Sequence, residues 1–334
     1  MIVESRNELE TPNVQTRIIF QNRMYALRDD EKGNRTRRIV EHFYRKKAVE
    51  QWEKDVFAFL YEVKYATKEQ LIRRFSLLAE ENFDTKMNFW LEKRFVNAAV
   101  FANERVDFDN VKFKIYTVST AGIALLEFLT SNMRNLVNWN PRGYLETWAG
   151  VKRKLLAADF RIEMEISESE RLLCCNSNLL FVSGRLRMFA DLQMFLNVSE
   201  NPEEVELKPF LGLAITEDDF KYGNRTQINE CIGRFQTMYE NESWRTNFRE
   251  PPTMLLIADS KKTAQHLQRI VEEYSALENF HHEIKNLSSE KFQDHTWIVN
   301  FSEFVKDSQN SMLWYDYDNV EWEPIQCAGF LENK

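Results

Sequence analysis

The 334 residues carry 44 Lys+Arg against 52 Asp+Glu, a net charge of −8, and 43% of them are apolar, with 25 Phe and 8 Trp. This content excludes a chain too polar to fold, and the acidic balance excludes a protein that coats nucleic acid indiscriminately. At roughly 100–200 residues per domain the length predicts two domains, and only 9 Gly and 7 Pro favour helices joined by short loops.

No apolar run is long enough to cross a membrane, and the polar start MIVESRNELETPNVQ has no signal-peptide pattern. Cys174, Cys175, Cys231 and Cys327 form no CxxC pair, and they read as reduced thiols of a cytoplasmic protein without a zinc site. The charge is unevenly placed. Residues 1–150 hold 24 Lys+Arg and 21 Asp+Glu, a balance of +3, which leaves −11 for residues 151–334. The first half suits phosphates; the second predicts a homodimer contact or a basic protein partner, and no membrane.

In chain order, residues 1–45 read as a basic arm. Asn34–Lys47 brings Arg35, Arg37, Arg38, Arg45, Lys46 and Lys47 against Glu41 alone, either a solvated helix face or a phosphate-contacting arm. A helix is predicted over Ala48–Tyr65, with Trp52, Val56, Phe59, Leu60 and Val63 on one stripe. Thr67 and Gln70 form a capping-box pattern that starts a short helix, burying Leu71, Ile72 and Phe75. Asp84 is a candidate N-cap for a third helix running to about Val96, with Met87, Trp90, Leu91 and Phe95 inward. Asn97–Arg105 and the alternating VKFKIYTVS make a hairpin, with Lys112, Lys114 and Tyr116 on its outer face. Ser119 or Thr120 caps a final helix.

Three helices followed by a hairpin is the order of a winged helix-turn-helix, assigned here to residues 46–131. The third helix would offer Thr85 and Asn88 to base edges, and Lys86, Lys93 and Arg94 to phosphate or guanine. Arg105, Lys112 and Lys114 would add wing contacts. Double-stranded DNA is the partner that these residue types predict.

After a connector over 132–150, residues 151–306 alternate helix and strand. Candidate strands are 171–175, 179–183, 188–196, 210–216, 253–258 and 297–301; candidate helices are 224–239 and 261–275. Helix, three strands, helix, strand is the order of a restriction-endonuclease-like core, so the fold class is α+β overall. Residues 307–334 read as a tail.

The layout over residues 48–301 resembles the replication-relaxation family of Gram-positive plasmids and related mobile elements. The resemblance rests on YTVSTAGIALLEF, KRKLLAADFRIEMEI, RLRMFADLQMFL, FLGLAITEDD, INECIGRFQTMY and PTMLLIADS. It implies a winged helix followed by an α/β domain of nuclease-like ancestry, acting in replication, transfer or transcriptional control of a mobile element. The departures fall on catalytic positions. RMFADL keeps Asp191 but has Ala190 where the family has proline. Ala214 and Thr216 stand where it has two carboxylates, and Cys231, four before Phe235, stands where it has lysine. One carboxylate cannot hold a divalent ion, so the domain is expected to be inactive and to need no cofactor. The alternatives are a Mg²⁺- or Mn²⁺-dependent nuclease built from Asp191, Asp219 and Lys221, and an acidic interaction module that binds a host or replication factor. No Ser-His-Asp signature or P-loop is present, and the five histidines lack metal-ligand spacing.

Overall fold

The computed structural model describes residues 17–21, 38, 40–43, 45, 49–102, 106–108, 111, 113–129, 147–183, 186–199, 205–221, 225–285, 295–305, 312–316 and 321–324. The chain is mixed α+β, with helices and two sheets in two compact units, Met1–Ala158 and Asp159–Lys334. The division falls inside one helix, α5 (Trp148–Ser167). The connector expected over 132–150 therefore ends earlier, and the start of this helix belongs to the first unit: Trp148 packs on Phe101 at 4.8 Å, and Gln70 Nε2 donates to the Leu155 carbonyl at 2.8 Å.

In the first unit, β1 (Arg17–Phe20) precedes α1 (Gln51–Val63). Helix α1 starts where Glu50 and Glu53 form a reciprocal capping box, and it buries Val56, Phe59, Leu60 and Val63 as the stripe predicts. β2 (Ala66–Thr67) leads to α2 (Lys68–Arg74), whose start is the predicted box: Gln70 N–H donates to Thr67 Oγ1 at 3.2 Å and Thr67 N–H to Gln70 Oε1 at 2.9 Å. Helix α3 spans Glu80–Glu92. It begins four residues before Asp84, which is an exposed residue of the helix rather than its cap. β3 (Val96–Ala102) and β4 (Ile115–Val118) then pair antiparallel, with Val96 opposite Val118. The sheet order is β1-β3-β4-β2, so β2 closes on β4 and β1 lies against β3.

The predicted hairpin strand over VKFKIYTVS is thus shorter than expected. Residues 111, 113 and 114 are not in a strand, and all four residues of β4 are buried, Tyr116 included. Tyr116 packs edge-on against Phe83 at 5.6 Å, so it belongs to the core and not to the outer face.

Helix α4 (Thr120–Leu129) crosses the end of α3 at close range. A Cβ on Gly122 would lie 2.1 Å from the Phe95 carbonyl oxygen and 2.7 Å from a Val118 methyl. Only a residue without a side chain allows that approach.

The second unit carries a seven-stranded sheet in strictly sequential order, β11-β10-β9-β8-β7-β6-β5. β5 (Leu172–Ser183) and β6 (Leu186–Asn197) form a long hairpin, and β7 (Leu207–Ile215) returns antiparallel to β6. Two strands were expected where β5 is one. The polar Asn176-Ser177-Asn178 reads as a break, and Asn178 does take a left-handed φ of 56°, yet pairing with β6 continues on both sides of it.

α6 (Glu217–Lys221) and α7 (Arg225–Glu240) lead from β7 to its parallel neighbour β8 (Thr253–Ala258). α8 (Lys261–Lys285) leads to β9 (Thr296–Asn300), again parallel, and α9 (Phe301–Phe304) follows. β10 (Met312–Asp316) and β11 (Glu321–Pro324) extend the sheet antiparallel, so the segment expected to be a tail contributes two strands. One face of the sheet buries Leu211, Leu213, Met254 and Leu256 against Ile232 and Phe235 of α7 and Leu267 and Val271 of α8.

Substituting Gly122 by alanine should cost about 3 kcal/mol, because the added methyl meets backbone rather than a movable side chain. Urea unfolding of the variant would measure it; a loss below about 0.5 kcal/mol would mean that α4 can shift without penalty.

Candidate nucleic-acid interface

The outer face of α3 is the first place to look. Thr85 and Asn88 are exposed on it, as expected. Lys86 is not an outward cation: its ammonium lies 3.7 Å from the buried Glu53 carboxylate and 5.2 Å from the centre of the Trp52 ring. It ties α3 to α1 and offsets a carboxylate that is only 5% exposed, so it is a packing residue. Lys93 is exposed at the C-terminus of α3, 3.5 Å from Glu92 and over the Phe89 ring at 5.7 Å.

Arg94 lies beyond the helix, which was expected to run on to about Val96. It has a left-handed φ of 59°. Its N–H donates to the Leu91 carbonyl at 3.1 Å, and that of Phe95 donates to the Trp90 carbonyl at 2.9 Å. This pair of bonds is the Schellman closure, whose turn residue is usually glycine. The Arg94 carbonyl in turn accepts the Ser119 hydroxyl. The chain is thereby fixed where the exposed Arg94 side chain leaves it.

The sign of the charge on α3 was missed at the sequence level. Glu80, Glu81, Asp84 and Glu92 stand against Lys86 alone. Acids in the first turn suit the helix dipole, but they repel phosphate. Asp84 is engaged by Lys68 of α2 at 3.3 Å.

The arginines of α2 were also missed, because LIRRF reads as a buried stripe. Arg73 and Arg74 end that helix half-buried, with Arg74 stacked on Phe59 at 4.4 Å and on Phe75 at 4.9 Å. Two adjacent arginines on a short helix were the available signal. Burial, with the Asp84 and Glu69 carboxylates nearby, pushes the Tyr116 phenol up to about 12, so it stays neutral as a core residue.

Lys114 is described and half-buried, and Arg38 is exposed in a helical stretch with Arg45. Arg35, Arg37, Arg105 and Lys112 lie outside the described residues, so the arm and most of the wing cations stay expectations from the sequence.

The alternative site in the second unit is not assembled as a catalytic trio. Asp191 is 3% exposed, and its Oδ2 accepts the Ala214 N–H at 2.9 Å, just past the point where the β6–β7 ladder ends at Leu192 and Gly212. Asp219, fully buried, accepts both the N–H and the hydroxyl of Thr216 at 2.9 Å, which is the work of a helix cap. Lys221 is exposed and pairs with Glu217 at 3.3 Å. Among the described residues no three His, Cys, Asp or Glu side chains group so as to hold a metal. The side chain beside Asp191 on β7 is the methyl of Ala214, so these residues do not fit a Mg²⁺ ion, and no step is derived through one.

A further carboxylate, unnoticed in the sequence, sits at the carboxyl ends of the parallel strands. Asp259 follows β8. Its Oδ1 accepts the Thr263 hydroxyl at 2.6 Å and its Oδ2 the Glu217 N–H at 3.0 Å, clasping the start of α6 to the start of α8. In open α/β sheets this crevice is where ligands bind; here a side chain of the chain itself fills the anion position. Burial raises the Asp259 pKa above the ordinary carboxylate value, against the lowering effect of the Thr263 and Glu217 bonds. The neighbouring Glu217 is lowered, chiefly by its hydrogen bond to Lys262 at 2.8 Å.

No family model, no curated protein sequence and no solved structure matches this chain. Among the described residues no helix is long and apolar enough to cross a membrane.

The raised Asp259 value has a signed consequence. The folded state holds this proton more tightly than the unfolded chain, so its contribution is fully present below the unfolded value of about 3.9. It is lost as pH rises through the raised folded value. Asp259→Asn can keep both bonds, its Oδ1 accepting from Glu217 N–H and its amide donating to Thr263 Oγ1. Urea unfolding across a pH series should find the variant gaining on the wild type as pH rises through that window, then levelling. A difference independent of pH would remove the buried-charge explanation.

Proposed function

We propose that the first unit is a winged helix that binds double-stranded DNA by sequence, and that the second is a nuclease-like domain serving a non-catalytic role. The observation that carries this reading is the exposed amide and hydroxyl of Asn88 and Thr85 on α3, the last helix before a β-hairpin, with Arg94 fixed at its end. The order helix, strand, helix, helix, hairpin supports it, because β2 between the first two helices closes on β4, the second hairpin strand. In a winged helix that arrangement leaves the third helix outward, able to enter the major groove. β1 adds a strand to the hairpin's far side.

Asn88 can pair with adenine through both ends of its amide, Oδ1 accepting and Nδ2 donating, and Thr85 can bond either base edge. Arg94 and Lys93, with Arg38 and Arg45 of the arm, would meet phosphate. The acids of α3 keep the electrostatic part small, so the discrimination lies in base contacts. The helix, antiparallel meander, helix and parallel strand of the second unit support a restriction-endonuclease-like ancestry. Taken with the resemblance to replication-relaxation proteins, the proposed role is in replication, transfer or transcriptional control of a plasmid or phage-like element.

The test uses fluorescence anisotropy with duplex fragments from the DNA that flanks the gene. Asn88→Ala should weaken the preferred duplex at least tenfold, about 1.4 kcal/mol, and leave random duplex nearly unchanged. Arg94→Gly suits the left-handed turn and keeps the fold, so it isolates the charge. It should weaken both duplexes and flatten the salt slope by about one. Equal binding by both variants and the wild type, or no duplex preference at low salt, would end this reading.

A further inference from the structure

Four sheet edges fall within the described residues, and three are short or guarded. β2 has two residues, β1 has four and includes Arg17, and β11 reads Glu-Trp-Glu-Pro. Charges, proline and brevity are how edges avoid pairing with another chain. β5, the fourth, is different. Its twelve residues, LLCCNSNLLFVS, contain no charge, no proline and no glycine. No described strand flanks it on its outer side.

The surface beside this edge carries exposed apolar side chains, with the exposed Arg187 opposite Val182. Leu180 is 60% exposed and Val182 48%, and Phe189, opposite Leu180 on β6, is 38% exposed. Leu173 is exposed near the other end of the strand. Phe181 and Met188, on the other side of the same hairpin, pack into the core, so the hairpin is held in place while one face stays open.

We propose that β5 is an interface at which two copies of this chain pair antiparallel, edge to edge, about a two-fold axis. Charge favours a second copy over a basic partner at this place. The half of the chain that carries the edge has a balance of −11, so two copies carry like net charge, and a strand without charged side chains, bordered at one end by the exposed Arg187 opposite Val182, is where they can meet. A basic partner would be drawn elsewhere, to the acidic surface. A closed two-fold pair also uses up the edge, whereas a parallel or staggered pairing would leave one exposed and grow.

The extent is sufficient. The one register shift against β6 lies between Leu172 and Cys174, and the left-handed Asn178 interrupts the ladder without changing the register, so Cys174–Ser183 spans about 34 Å at 3.4 Å per residue. A strip of that length and roughly 15 Å deep buries about 500 Å² per copy and about 1,000 Å² in all, the lower bound of specific interfaces. The dimer is therefore of micromolar strength rather than obligate. It does not depend on the DNA reading, since it draws on the second unit alone.

The experiment is sedimentation velocity on the full chain without DNA. The wild type should be dimeric at about 50 μM and dissociate on dilution to about 0.5 μM. A two-fold through the middle of the paired run passes close to Leu180. L180K/V182K and L180E/V182E should therefore each be monomeric, since like charges face one another across the axis. Mixed in equal amounts, the two variants should recover a dimer. L207K, an exposed leucine at the start of β7, should behave as the wild type. Wild type that stays monomeric at 50 μM, L180K/V182K that stays dimeric, or a mixture that fails to associate would each overturn the proposal. Because both variants alter exposed side chains, far-UV circular dichroism should match the wild type, and the mixture tests pairing even if each alone is less stable.

Discussion

The first unit turns on the backbone of Phe95. Its N–H closes the end of α3 on Trp90, its carbonyl accepts the Ser119 N–H at 3.0 Å, and the same carbonyl sits against Gly122. Its ring lies 4.9 Å from Phe43 and 6.0 Å from Phe57. One residue thus ends the third helix, begins the hairpin and seats α4 on both. Buried backbone groups must be paired, and here two elements are paired through one residue. The position of α3, and of every side chain on its outer face, follows from that junction. Arg94 precedes it in a conformation that costs a non-glycine residue on the order of 1 kcal/mol, and the surrounding bonds hold it there.

Much of this was legible in the sequence, and the failures have physical causes. Thr67 and Gln70 specify a helix start through local chemistry alone, and both bonds of the box form. The helical stripe of α1 was readable because one face is buried throughout. Gly122 belongs to a recognisable phrase, but its reason, a carbonyl from another element, is invisible in one dimension. The end of α3 was misplaced because an arginine in a left-handed turn gives no glycine signal. Tyr116 was set on the outer face because strict alternation assumes one wet face, and β4 is buried on both sides. The cationic face of α3 was overrated because its positions were sorted by polarity and not by sign, which hid Asp84 and Glu92 and the engagement of Lys86 with Glu53. β10 and β11 were missed since five- and four-residue strands at the end of a chain carry little periodic signal.

Three buried carboxylates of the second unit follow one pattern. Asp191, Asp219 and Asp259 each accept a backbone N–H, from Ala214, Thr216 and Glu217 in turn. All three donors lie within four residues of chain, where β7 ends and α6 begins. A polar oxygen withdrawn from water needs such donors. Together the three bonds fix the end of β7 and the entry to α6, so substitutions at these carboxylates act on folding.

The distribution of charge sets what kind of DNA reader the proposed module could be. A protein that relied on phosphate neutralisation would put cations along the helix facing the groove and accept steep salt dependence. Here α3 is acidic, its lysine engages Glu53, and Lys93 and Arg94 follow its end, with Lys93 partly offset by Glu92. The helix itself would then add little affinity from phosphate, and the proposed module would draw that part from the arm and the wing. On the proposed reading, Thr85 and Asn88 would supply the discrimination, and a useful ratio of specific to non-specific binding would need no great absolute affinity. In the proposed dimer, two modules held together would raise the effective concentration of the second without a new contact. An acidic recognition helix and an unguarded strand edge are separate oddities, and each makes more physical sense in a chain that works in pairs.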